Sequence, residues 1–131
     1  MGAWGSGSFE NDDASDWLGT LDNLTPADLT RILTRAADDP EYLEAPAASV
    51  AVAAAEVVAA LRGNPAPSAP STIEEWVKKN PQAFSEELKT LALRAMERVR
   101  GNSEVKDLWM EADGLNDWIA AIRELQARLG A

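Results

Sequence analysis

Histidine and cysteine are absent from the 131-residue chain, so any site it builds must work with carboxylates, hydroxyls and amines. That removes thiolate and imidazole metal ligands, the thiol nucleophile and every triad that needs an imidazole base. Glu10, Asp12, Asp13 and Asp16 supply hard oxygen donors of the kind magnesium and calcium take, with Asp12 and Asp16 one helical turn apart. Their order is not that of the calcium loop, which alternates acids around a central glycine and ends in glutamate. Acids at a helix start complement its exposed N–H groups and dipole, and that is the role read for them: no metal and no cofactor is expected.

The glycines Gly2, Gly5 and Gly7 invite comparison with a phosphate loop, but such a loop needs a lysine directly after it, and the first lysine of the chain is Lys78. Met1-Gly2 followed by Ser6 fits the loose myristoylation pattern. A single acyl chain anchors weakly without basic neighbours, and this region is acidic. The reading kept is structural. Trp4 and Phe9 are apolar anchors in a polar arm, and the glycines permit sharp turns or close approach. Asn11 or Asp12 then caps the first helix.

The elements that must position these residues all show the helical period. Ala14, Trp17, Leu18 and Leu21 recur at i, i+3, i+4 and i+7. Thr25-Pro26-Ala27-Asp28 reads as an N-cap, a first-turn proline and a first-turn acid, with Leu24 and Leu29 spaced as a hydrophobic staple. Residues 45–61 are nearly uncharged and mostly alanine, with Glu56 the exception; the run is too short and too weakly apolar for a membrane span and reads as a central buried helix. The proline-rich stretch 63–71 reads as a surface crossover within one domain spanning residues 1–131. Ser71 and Thr72 each precede a glutamate by three residues, two overlapping capping-box options, and Asn80-Pro81 ends that helix and is a candidate cap for the next. Further stripes follow through Phe84–Val99, Leu108–Trp109 and Leu115–Leu129, with Ser103 as a cap and Gly114 as a break. The expected fold is all-α: one compact domain of six to seven helices with a glycine-rich N-terminal arm packed on it.

Two stretches, "MGAWGSGSFENDDASDWL" and "GNSEVKDLWMEADGLNDWIAAIRELQARL", are similar to the ends of a bacterial family, domain of unknown function 4259 (DUF4259). The resemblance rests on Gly2, Trp4, Gly5, Gly7, Phe9, Asn11, Asp12, Asp13 and Trp17, and on Ser103-Glu104, Leu108-Trp109 and Glu111. It implies a helical domain and carries no activity. Motifs at opposite ends of the chain suggest one shared location, with Trp4 near Trp109 and Glu111 accepting hydrogen bonds from the glycine loop; the alternative is that each tryptophan fills its own part of the core.

The formal net charge is −10, of which residues 1–65 carry −8 (eleven acids, three bases) and the remainder −2 (eleven acids, nine bases). Phosphate backbones are repelled by such a half, so no nucleic acid is expected; a basic patch at Arg94, Arg98 and Arg100 reads as a solvated helix face. With no secretory signal and no membrane span, the location read is cytoplasmic. Two functions are carried forward. The first is a non-catalytic interaction or regulatory module with a basic protein partner, met through Asp38, Asp39, Glu41, Glu44, Trp109 and Glu111; self-association through an apolar helix face is a further option. The second is a divalent-metal hydrolase. Glu41-Tyr42-Leu43-Glu44 and Glu104-Val105-Lys106-Asp107 have the acid spacing of all-α nucleotide pyrophosphohydrolases, although the pairs lie some sixty residues apart and the first precedes Ala45-Pro46.

Overall fold

The computed structural model describes residue 3 and residues 5–130. Among the described residues seven α-helices follow one another: α1 (Asp12–Leu18), α2 (Pro26–Asp38), α3 (Ala45–Leu61), α4 (Ser71–Lys79), α5 (Glu86–Gly101), α6 (Glu104–Glu111) and α7 (Leu115–Leu129). A 3-10 turn at Leu21–Asn23 joins α1 to α2. Among the described residues there is no strand; Ala3 and Asn11 pair in one antiparallel bridge. The all-α expectation holds. Gly2 and Trp4 lie outside the described residues, and with them the anchoring role read for Trp4.

Helix α3 is the centre. Nine of its seventeen residues are alanine, and residues 51–59 are buried on every side. A helix with so little side-chain bulk lets neighbours approach to the short end of the usual ~8–10 Å interaxial range. It touches α1, α2, α4, α5, α6 and α7. Larger side chains on those neighbours fill the space: Leu29 and Leu33 from α2, Ile73 and Trp76 from α4, Met96 and Val99 from α5, Leu125 and Leu129 from α7. Across the proline-rich crossover, the Trp76 indole N–H donates to the Leu24 carbonyl at 3.0 Å.

The exception in α3 is Glu56, only 3% exposed. Arg128 of α7 meets it with two guanidinium nitrogens at 2.8 and 2.9 Å. Ser8 of the arm donates its hydroxyl to the same carboxylate at 2.6 Å. Burial pulls the Arg128 guanidinium down, but the Glu56 and Glu124 carboxylates outweigh it and hold the group above its ordinary range. One buried carboxylate thus ties the arm, α3 and α7 together.

Local chemistry sets the helix ends. Asn11 accepts from the Ala14 N–H at 2.8 Å and starts α1. Thr25 and Asp28 bond each other's backbone N–H reciprocally at the start of α2. Ser103 accepts from the Lys106 N–H and donates to the Val99 carbonyl at 2.7 Å, joining α5 to α6. Three sequence expectations are corrected. Leu21 is buried but lies in the 3-10 turn, because α1 ends at Leu18. Neither Ser71 nor Thr72 caps α4: Pro70 already supplies the extended N-cap backbone, one residue too early for a capping box, and the Thr72 hydroxyl is buried without a partner. Asn80 closes α4, and Ser85 caps α5 through the Leu88 N–H.

Breaking the buried pair should be far worse than removing it. Arg128→Met leaves Glu56 buried and uncompensated, and the expected loss is about 3–5 kcal/mol. Adding Glu56→Leu should recover most of that in a denaturant titration. A double variant no more stable than Arg128→Met would show that the damage is loss of packing and not an unpaired charge.

Candidate functional site

Two places gather the residues singled out in the sequence. The first is the connector between α2 and α3. Asp39 precedes Pro40, which disfavours helical backbone before it, so α2 stops and Asp39 turns extended (φ −62°, ψ 123°). The Asp39 carboxylate then accepts from the Glu41 N–H at 2.9 Å, tightening the turn. Arg98 reaches from α5 and donates to the carbonyls of both Asp39 and Glu41. Leu43 is buried in the core.

Helix α6 fastens the other side. The Glu104 N–H donates to the Leu43 carbonyl at 2.8 Å, and the Glu104 carboxylate accepts from the Ala45 N–H at 2.7 Å. Glu44 sits at the N-cap of α3 with no capping bond, since Glu104 does that job. The Tyr42 hydroxyl donates to Asp107 at 2.5 Å. That hydrogen bond, with burial and the nearby charges of Asp107, Glu104 and Glu111, pushes the phenol up to about 12.

Beside this connector runs a groove of about 410 Å³ between α2 and the start of α3. Its apolar side is Ile32, Ala36, Leu43, Pro46, Ala47 and Val50; its polar side is Arg35, Asp39, Glu41, Tyr42 and Glu44. Arg35 lies 3.9 Å from the Asp39 carboxylate, so that charge is partly neutralised. Glu41 and Glu44 are exposed and form no ion pair with another described residue. Asp38 points elsewhere and pairs with Arg94.

The second place is the arm. Gly5, Gly7, Ser8, Asn11 and Asp13 line a small cavity with Trp109 and Trp118, about 60 Å³ in volume. The two motif regions at opposite ends of the chain therefore do meet, although Trp4 is outside the described residues. That volume holds a few water molecules at most. Neither Gly5 nor Gly7 has a left-handed backbone angle. A Cβ at either position would meet the Glu10 carboxylate, the movable end of an exposed side chain, which accepts from the Gly7 N–H at 3.0 Å. The acceptor expected for the loop was Glu111, yet for Gly7 it is Glu10, and Glu111 is exposed at the end of α6. Phe9 and Trp17 are half-buried against the core, Asp12 is exposed in the first turn of α1, and Trp109 lies against Gly114, where a Cβ would come within 2.7 Å of the indole.

The other chemistry read from the sequence is differently employed. Glu104 and Asp107 are brought against the connector that carries Glu41 and Glu44, where their carboxylates accept from the Ala45 N–H and the Tyr42 hydroxyl. Among the described residues no three acidic side chains converge to hold a metal ion. The basic trio is self-engaged: Arg94 with Asp38, Arg98 with backbone carbonyls, Arg100 with Glu97. Among the described residues no helix is long and apolar enough to cross a membrane.

The fold and these two places define a helical domain organised on a buried alanine-rich helix, with an acidic groove on one side and a glycine arm on another. The family model described as "Domain of unknown function (DUF4259)" matches residues 2–121, and the chain belongs to that family. Neither a curated protein nor a solved structure matches it.

Sequence reasoning missed Ser8, Tyr42, Glu56, Arg98 and Arg128 as organising residues. Two carried a signal: Glu56 as the lone charge in an alanine helix, and Tyr42 as the only tyrosine, set within an acidic stretch.

That single tyrosine makes one test clean. Its raised value means that the stability it contributes is intact below about pH 10 and is lost as pH rises through about 12. Ultraviolet titration of the phenol should give a midpoint near 12, falling toward 10 in Asp107→Ala. An unchanged midpoint would remove Asp107 as the cause.

Proposed function

We propose that the protein is a non-catalytic interaction module whose acidic groove receives a basic segment of a partner protein. The observation that carries this reading is the groove between α2 and α3. It has an apolar side large enough for side chains, within the usual ~300–1,000 Å³ of ligand sites, and free carboxylates at Glu41 and Glu44. The −8 charge of residues 1–65 adds a long-range field of the same sign. Such a field speeds encounter with a cationic surface more than it strengthens the final complex.

The groove is also held rigid. Arg98, Glu104 and Asp107 fix the connector from two helices, so little ordering is needed when a partner docks. Of the four carboxylates that a hydrolase would need, Glu104 and Asp107 are engaged in that scaffolding.

The experiment is affinity capture from the native host, then association kinetics of the captured partner at several salt concentrations. The rate should fall as the screening length shrinks to about 8 Å near physiological ionic strength. Glu41→Gln with Glu44→Gln should lower the low-salt rate by about tenfold, with an unchanged melting temperature. A rate indifferent to both salt and those substitutions would overturn the reading.

A further inference from the structure

The acids along the α2–α3 groove differ. Arg35 lies beside Asp39 and offsets its charge. Glu41 and Glu44 flank Tyr42 in the chain, and Tyr42 is a large hydrophobic residue left 52% exposed. The ring is not loose. Its hydroxyl is tied to Asp107 across 65 residues of sequence, and the next residue, Leu43, is anchored in the core. A rigid, exposed aromatic face bordered by carboxylates and opening onto an apolar trough is the arrangement that receives a cationic side chain. The ring face attracts the cation, the carboxylates pair with it, and the trough covers its aliphatic stem.

We infer that Tyr42, between Glu41 and Glu44, is the seat for one arginine or lysine side chain of the partner, with an adjacent aliphatic residue lying against Ile32, Ala47 and Val50. This deepens the proposed function and rests on it. Arginine is the better fit. Its planar guanidinium stacks on the ring while forking to a carboxylate, which an ammonium cannot do. The basic residues near the seat do not fill it: Arg98 and Arg94 are occupied with the connector carbonyls and Asp38, and the Lys106 ammonium donates to the Gly101 carbonyl.

The test uses the full chain and a synthetic peptide of three Arg–Leu repeats, followed by amide and methyl chemical shifts in nuclear magnetic resonance. Shifts should concentrate on Ile32, Tyr42, Ala47 and Val50. Tyr42→Phe, which keeps the ring, should bind within about twofold of the parent. Tyr42→Leu, which keeps apolar bulk and loses the π face, should bind about threefold more weakly. Glu41→Gln with Glu44→Gln should weaken binding about fivefold, and a Lys–Leu peptide should bind more weakly than the arginine one. Shifts scattered over all acidic faces, or equal binding by Tyr42→Leu and Tyr42→Phe, would overturn the seat. If that occurs while the native partner's association still depends on Glu41 and Glu44, the seat is wrong and the interaction reading stands. Loss of both overturns the two together.

Discussion

The burial of α3 is the constraint from which the rest follows. A helix enclosed by six others must be narrow, and alanine makes it so. A narrow centre gives close packing at the cost of a small apolar payload, since alanine buries little surface per residue. The neighbours must supply the bulk, and they do, through leucine, isoleucine, methionine and tryptophan on their inward faces. The same constraint explains Glu56. A carboxylate in that position is tolerated only with a full set of donors, and Arg128 and Ser8 provide them. The N-terminal arm is thereby made part of the core's electrostatics.

The groove is a consequence of how α3 begins. Its first turn needs an acceptor for the Ala45 N–H, and that acceptor comes from α6, not from the residue before it. Glu104 therefore stitches α6 to the connector, and Tyr42 and Asp107 repeat the stitch one turn on. With Arg98 clamping the carbonyls from α5, the connector is held on two sides and its remaining carboxylates face outward along the groove. The acids that resemble a metal site in the sequence are thus divided between scaffolding and surface.

What the sequence revealed follows from interaction range. Local devices could be read directly: the Thr25–Asp28 cap, the Ser103 cap, the alanine helix and the acidic half all depend on residues a few positions apart. The misreadings at Ser71, Asn80 and Leu21 are also local, and each came from choosing the wrong residue in a short run of competent ones. The organising contacts were beyond reach in one chain. Glu56 with Arg128, Tyr42 with Asp107 and Ala45 with Glu104 join positions 72, 65 and 59 residues apart, and no periodicity encodes such pairings. The resemblance to DUF4259 brought the two ends of the chain together, and the cavity shared by Gly5, Gly7 and Trp109 agrees with it.

The central claim is that recognition happens at the α2–α3 groove and that the arm, α4 and the crossover serve the fold. Amide hydrogen exchange of the protein alone and with its captured partner tests this most directly. The account predicts added protection confined to residues 32–50, with the arm and α4 unchanged. Protection centred on residues 5–13 and 105–118, around the cavity under the arm, would contradict it and move the binding site to the family's own motif.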